Sequence, residues 1–371
     1  MDLQNLNNHN NHLNFSGGPG ALPESVLNAT QAAINNVPEV GLSLLGISHR
    51  SDWLRNVLDE TEENLRNLLS IPKNYHVLFL QGGSSLQFSM IPMNFLRGNT
   101  KVAEYIVSGY WSIKSVPEAR KEGQVQVVWD GKDSGYKRLP KAEELTLSPD
   151  AAYLHYVSNE TVEGLQFPYL PGISNVPLIC DMSSDFLSQP VPVERYALIY
   201  AHAQKNLGPA GVTVVLLRDD LVDTIPSDLH TMLDYRTHIK GKSIYNTPPV
   251  FALYVIMLVT RWLRKDIGGL AAMADINATK AATLYKVLDE SGGFYQGHAV
   301  REWRSLMNVA FRLADRDLEL LFLKTAVENG FYGLDGHRSI GGLRASLYNA
   351  VTQSGVEALA GFMRDFQQRY G

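Results

Sequence analysis

Lys205 is the residue type hardest to explain as ordinary surface. It sits in AHAQKNLGPAG, residues 201–211, between two short apolar runs, Tyr196–Tyr200 and Val212–Leu217, that read as buried strands. An ammonium in such a place either finds a partner or loses proton affinity. A lysine with a lowered pKa is a nucleophilic amine, the group a Schiff base requires. Gly208-Pro209-Ala210-Gly211 lets the chain turn tightly and reverse, so on these residues alone a surface lysine in a turn is the competing reading. A third apolar run, Val176–Cys180, ends in Asp181, and Lys205 follows 24 residues later. Strand, carboxylate and strand-ending lysine suit pyridoxal 5'-phosphate. The carboxylate keeps the ring nitrogen protonated and the lysine holds the aldehyde as an imine. In an open α/β sheet both side chains emerge at the carboxyl ends of the strands.

The surrounding chain reads as the scaffold for such a site. Tyr75–Leu80 is a strand that runs into Gln81-Gly82-Gly83-Ser84-Ser85 and then an apolar helix from Leu86 to Leu96. Glycines, serine hydroxyls and a helix N-terminus form a phosphate cradle, although many such turns use glycine for geometry alone. Lys101–Val107 is the next strand, followed by Ser108-Gly109-Tyr110-Trp111. Trp111 can stack on a flat heterocycle or belong to the core. Strands follow at Gln124–Trp129 and Ala151–Val157, the latter ending near Thr161 on the same sheet edge. Pro23 opens a helix through about Asn35, and Ser51 caps a helix faced by Trp53, Leu54, Val57, Leu58, Leu65, Leu68 and Leu69. His49-Arg50 just before it reads equally as an exposed loop end. The fold class is therefore α/β, a mostly parallel sheet flanked by helices.

Beyond Asp220 the pattern changes. Leu229–Thr247 is polar and aperiodic and includes Asn246-Thr247; Val250–Leu263 is a buried helix. A helix through Leu288, a strand at Ser305–Leu313, a helix at Asp315–Asn329 and a strand at Gly342–Tyr348 make a smaller α+β C-terminal domain. Ser354 and Glu357 form a capping box for the last helix. His337-Arg338 precedes the final strand and Arg344 lies in it. The domains are expected at 1–13, a disordered Asn-rich arm; 14–264, the large domain, with its N-terminal segment packing on the small one; and 265–371.

Composition narrows the function classes. Net charge is −5 with no basic run, so nucleic-acid binding has no electrostatic support. With 45% hydrophobic and 19% charged residues the chain is an ordinary globular protein. No apolar run is long enough to span a bilayer. Cys180 is the only cysteine, which fits a reducing cytoplasm. His9 and His12 lie in a polar arm, and no metal site is expected.

Taken in order, FSGGPGALP, GISHRS, YHVLFLQGGSSLQF, SGYWS, YVSNETVEG, DMSSDFLSQPV, YAHAQKNLGPAG, YNTPP and GHRSIGGLRASLYNA resemble the phosphoserine aminotransferase family, pyridoxal-phosphate enzymes of the aspartate-aminotransferase fold (fold type I). The resemblance runs from Phe15 to Tyr370. It implies that Lys205 is the Schiff-base lysine, Asp181 the partner of the ring nitrogen, Trp111 the stacking residue and Thr161 the neighbour of the ring oxygen. It implies that Ser84, Ser85 and Gln204 hold the cofactor phosphate, and that Asn246 and Thr247 reach it from the partner subunit of a homodimer. Arg344 corresponds to the clamp on the substrate α-carboxylate. His49, Arg50, His337 and Arg338 correspond to the distal cluster that takes phosphate or side-chain carboxylate, with His337-Arg338 also assigned to the neighbour's site. The implied reaction is reversible transamination of O-phospho-L-serine and 2-oxoglutarate to 3-phosphohydroxypyruvate and L-glutamate, in serine biosynthesis. A second implied substrate is 4-phosphohydroxy-L-threonine, of vitamin B6 (pyridoxine) biosynthesis.

Two positions depart from the pattern. Ser85 stands where some members carry arginine, and His202 where some carry a small residue, either lining the pocket or turned outward. A transaminase of alanine, serine or glyoxylate type would need no distal cations. A cysteine desulfurase would need a mobile nucleophilic cysteine, whereas Cys180 lies in a strand.

Overall fold

The structure is a computed structural model that describes residues 13–172 and 175–371. The arm expected over 1–13 lies outside the described residues, apart from Leu13, whose carbonyl accepts from the Tyr332 amide at 3.0 Å.

In chain order the strands are β1 (Tyr75–Leu80), β2 (Ala103–Val107), β3 (Val125–Asp130), β4 (Tyr153–Val157), β5 (Asn159–Glu160), β6 (Leu165–Gln166), β7 (Leu178–Asp181), β8 (Leu198–His202), β9 (Thr213–Arg218), β10 (Gln296–Gly297), β11 (Asn308–Arg312) and β12 (Leu343–Ser346). Seven of them form one sheet in the order β1-β9-β8-β7-β4-β2-β3. The pairings from β8 across to β3 are parallel, and β9 runs against both its neighbours. The single reversal has a local cause. The turn that carries Lys205, residues 203–212, is too short to cross over the sheet, so β9 must return antiparallel.

The helices are α1 (Glu24–Asn35), α2 (Asp52–Leu69), α3 (Gly83–Phe95), α4 (Tyr110–Ala119), α5 (Asp219–Val222), α6 (Tyr235–Lys240), α7 (Val250–Lys265), α8 (Leu270–Glu290), α9 (Arg316–Glu328) and α10 (Gln353–Tyr370). Alternation along the strands divides the sheet into two buried faces. Val77 and Phe79 join Leu54, Val57 and Leu65 of α2 and Leu253 and Ile256 of α7. Leu78 and Leu80 join Phe88 and Ile91 of α3, Val116 of α4 and Tyr235 of α6. A second, smaller sheet, β10-β11-β12, packs Phe311 against Phe322 and Phe366 of α9 and α10. Phe15 and Ala21 from the start of the chain are part of this small core. α8 joins the two bodies: Leu270 and Met273 belong to the large core, Leu284, Val287 and Leu288 to the small one.

Three boundaries differ from the sequence reading. α3 starts at Gly83 rather than Leu86, because Gly82 takes a left-handed φ of 93° and turns the chain at once into the helix. Ser84 and Ser85 therefore lie in its first turn. The polar stretch 229–247 contains α6, a helix too short to show a period; its Tyr235 is buried and donates to Gln87 Oε1 at 2.6 Å. The last helix is capped by Thr352, whose Oγ1 accepts from the Gly355 amide at 3.1 Å, and not by Ser354. Glu357 is instead engaged by Gln353, at 2.9 Å from its Nε2. The Ser51 cap of α2 is as expected, accepting from Leu54 at 3.2 Å.

Sequence reading also passed over Lys280. This fully buried lysine of α8 donates to the carbonyls of Leu347 (3.0 Å), Tyr348 (2.8 Å) and Val351 (3.0 Å), pinning the segment after β12. Burial lowers its pKa to about 7.

Thr352→Ala is expected to lose about 1 kcal/mol of stability, as cap removals do, while Ser354→Ala stays within about 0.5 kcal/mol. Thermal unfolding of the two variants side by side checks this; equal losses would return the cap to Ser354.

Candidate active site

The carboxyl ends of β1, β4, β7 and β8 open on one cavity of about 410 Å³, lined among others by Gly82, Ser84, Trp111, Asp181, Gln204 and Lys205. Asp181 is the last residue of β7, and Lys205 lies in the turn after β8. Both are buried, at 4% and 7% exposure, which no isolated charge tolerates cheaply. The Lys205 ammonium donates to Thr161 Oγ1 at 2.7 Å and lies 5.8 Å from the Trp111 ring centroid. Burial lowers its pKa to about 8; the Asp181 charge resists the shift and Arg344 reinforces it. Asp181 Oδ1 accepts from the Ser183 amide at 2.8 Å. Its carboxyl is raised by burial, against the pull of Ser183 and of Lys205.

Trp111 is fixed by acids that the sequence reading did not single out. The Trp111 amide donates to Glu160 Oε2 at 3.0 Å, and the Ser112 amide and hydroxyl donate to Glu160 Oε1 at 3.0 and 2.6 Å. The Tyr110 amide donates to Glu163 Oε1 at 2.9 Å. Two buried carboxylates thus occupy the free N–H groups at the start of α4, where the helix dipole favours negative charge. A Cβ on Gly109 would lie 2.5 Å from Glu163 Oε2 and 2.9 Å from Glu160 Cδ, so only glycine leaves both acids room. Burial, and then the charge of Glu160, push Glu163 above the usual carboxylate range. The signal in the sequence was two acids three residues apart directly after an apolar strand.

The cradle residues come together as the glycine-serine turn implied. Ser84 pairs with Ser183 at 2.7 Å between hydroxyls, and Ser84, Ser85, Ser183 and Gln204 all line the cavity. Gln204 Oε1 and Trp111 Nε1 are buried and have no partner among the described residues. Orphaned polar atoms around a cavity with a buried amine and a buried carboxylate are what a polar, flat, phosphorylated ligand would satisfy. The residues fit pyridoxal 5'-phosphate. His202 also lines the cavity and does not turn outward.

Arg344, from β12, donates to the carbonyl of the cavity-lining Thr161 at 3.4 Å. The Phe15–Gly20 segment crosses over it. Gly20 donates to the Gln204 carbonyl at 2.8 Å, and the Tyr348 hydroxyl donates to the Gly17 carbonyl at 2.9 Å. A Cβ on Gly17 would lie 2.1 Å from Arg344 Nη2.

The remaining candidates divide. His337 lies against Tyr110 of its own chain, ring centroids 4.5 Å apart. The cause is backbone pairing: Gly336 donates to the Gly342 carbonyl at 3.0 Å and Arg344 to the Leu334 carbonyl at 2.9 Å, so the loop follows Arg344. Arg338 is exposed on that loop. His337 is lowered by burial and then by Arg344 and Arg338. His49 and Arg50 do not line the cavity of their own chain. Asn246 and Thr247 do not line it either; Gln81 Nε2 donates to the Thr247 carbonyl at 2.8 Å. Cys180 is buried and burial raises its thiol well above the usual value, which removes it as a nucleophile.

Residues 12–359 match the class-V aminotransferase family, and the chain belongs to that family. Phosphoserine aminotransferase of Rhodopirellula baltica is 48% identical over 357 residues, which are 96% of this chain and 95% of that one. The solved phosphoserine aminotransferase of Bacillus circulans subsp. alkalophilus has the same fold with a TM-score of 0.94 at 47% identity, covering 97% of this chain and 99% of that chain. The pyridoxal-phosphate-bound phosphoserine aminotransferase of Trichomonas vaginalis gives 0.88 at 37% identity, covering 94% and 99%. Pyridoxal 5'-phosphate is accordingly the cofactor.

Gly17→Ala is expected to displace the Arg344 guanidinium and raise KM for every amino-acid substrate about tenfold, equivalent to about 1.4 kcal/mol of binding. The cofactor absorbance should be unchanged. Loss of that absorbance would put the damage at the Lys205 turn instead.

Proposed function

We propose that the chain transfers an amino group between O-phospho-L-serine and 2-oxoglutarate, giving 3-phosphohydroxypyruvate and L-glutamate reversibly. The observation that carries this reading is the buried Lys205 amine in one cavity with Asp181, with Arg344 bonded to Thr161 of the same lining. Pyridoxal phosphate, when bound, supplies an electron sink for the bonds at the substrate's Cα. Asp181, a buried carboxylate at the end of β7, would pair with the ring nitrogen and favour its protonated form. Trp111 covers the ring face, and Thr161 orients the Lys205 nitrogen. Ser84, Ser85 and Gln204 take the phosphate, with Asn246 and Thr247 added from a second subunit. Lys205 binds the cofactor and, once displaced, is the amine that moves the proton at the substrate's Cα.

Arg344 takes the α-carboxylate, as a planar fork does best. His337 and Arg338 lie on the same loop and receive the distal anion, a phosphate in one half-reaction and a carboxylate in the other. 4-Phosphohydroxy-L-threonine carries the same two anionic ends and falls in the same substrate class. The single unpaired cysteine supports a reducing, cytoplasmic location in this reading. Among the described residues no helix is long and apolar enough to cross a membrane.

The working form in this reading is a two-fold homodimer with shared sites. His49-Arg50 and Asn246-Thr247 lie outside the cavity of their own chain, as His337-Arg338 also does, and exposed apolar side chains flank the first two pairs: Leu42 at 52%, Leu45 at 68% and Tyr245 at 54%. A second copy that covers these side chains would carry His49 and Arg50 to the distal end of its neighbour's cavity.

Two measurements test this reading. Cofactor-free protein should combine with pyridoxal 5'-phosphate faster as pH rises through about 8, where the buried Lys205 amine loses its proton. Lys205→Ala should show no borohydride-reducible absorption band and no turnover; retained turnover would remove the assignment. For the dimer, Lys205→Ala and Arg50→Ala chains are dissociated, mixed and reassociated. If Arg50 acts across the interface, half the dimers are mixed and each has one intact site, so activity returns to roughly a quarter of wild type. No recovery despite proven exchange would assign Arg50 to its own chain.

A further inference from the structure

The phosphate end of the cavity is rich in hydroxyls and poor in charge. Its lining contains two basic side chains, Lys205 and His202, and Lys205 is turned toward Thr161. His202 closes β8 beside the cradle. Its amide donates to Ser183 Oγ at 3.3 Å, and that hydroxyl is the one paired with Ser84 at 2.7 Å. Its ring stands over the first turn of α3: a Cβ built on Gly83 would lie 3.5 Å from Nε2 and 3.8 Å from Cε1. Among the described residues the ring makes no hydrogen bond, although it is largely withdrawn from water. A polar ring held without a partner beside the N-terminus of a 13-residue helix faces the place where an anion binds.

We propose that His202 is a phosphate-binding residue of this chain, its Nε2 donating to the cofactor's phosphate and its imidazole cationic while that phosphate is bound. This rests on the assignment of the cavity to pyridoxal 5'-phosphate. In the free protein burial, and then the charge of Lys205, lower His202 to about 4, so the ring is neutral there. Lys205 is the charged group acting on it; the cradle otherwise offers hydroxyls and amides. A phosphate brought against the ring acts in the opposite direction and raises it. Binding therefore takes up a proton. The His202 contribution to affinity is full below the loaded-state pKa and fades as pH rises through it.

The test is absorbance titration of cofactor-free protein with pyridoxal 5'-phosphate and with pyridoxal, which lacks the phosphate. It uses wild type, His202→Ala and His202→Gln at pH 7 and pH 9, both above the second ionisation of a phosphate ester at about 6. At pH 7 both variants should bind the phosphorylated ligand at least roughly tenfold more weakly, the scale of one charge-assisted hydrogen bond, and pyridoxal within about twofold of wild type. At pH 9 the gap between wild type and variants should shrink. Unchanged affinity for the phosphorylated ligand, equal weakening of both ligands, or wild-type affinity in His202→Gln at pH 7 would each overturn the proposal. Wild-type protein that binds neither ligand would instead overturn the cofactor assignment beneath it.

Discussion

Keeping an amine out of water at the edge of a sheet is the constraint that shapes this molecule. Burial lowers the Lys205 pKa to about 8, and burial alone would carry it further. Asp181 limits the shift from the end of β7, and Thr161 gives the nitrogen a hydrogen bond. Those groups meet because parallel strands end at one edge and because the short loop after β8 turns the chain back into β9. The single antiparallel strand of the parallel region is thus the outcome of placing a lysine in a tight turn.

The other wall of the cavity depends on a second buried-charge arrangement. Glu160 and Glu163 would repel if both were ionised, yet together they take the amides that α4 leaves free. Burial and the Glu160 charge raise Glu163, and the Tyr110 amide pulls it the other way. The result is a rigid first turn, and Trp111 on it has few ways to move. Lys280 solves a related problem differently, with three carbonyls and no carboxylate. In each case a polar group inside the protein fixes a backbone segment that apolar packing alone would leave less defined.

Local chemistry was readable from the sequence wherever one residue had one job. Strand β1 has the boundaries that its apolar run implied, and Ser51 caps α2 as its position suggested. Lys205 and Asp181 were legible because a charge at the end of an apolar run is rare. Glu160 and Glu163 were equally rare in kind, but their partners are backbone amides some 50 residues earlier, and backbone amides leave no mark in a sequence. Thr352 was missed because Ser354 offers the same hydroxyl two residues on, and only the helix phase chooses between them. The place of His337 depends on strand pairing between 336 and 342, which motif order does not convey. The distal cluster is legible only in part, since His49 and Arg50 lie outside the cavity of the chain that carries them.

The crossing of residues 15–20 has a consequence for how the protein comes to exist. This segment leaves the ribosome early, yet it is seated by Gln204, by Arg344 beneath Gly17, and by Tyr348. Phe15 also pairs across β12, the Ser346 amide donating to its carbonyl at 3.0 Å. The nascent segment must wait through most of translation for its receptors, and the small-domain core closes around Phe15 only when they arrive. Seating the strap is therefore a late event of biogenesis, complete only in chains whose synthesis has passed Tyr348.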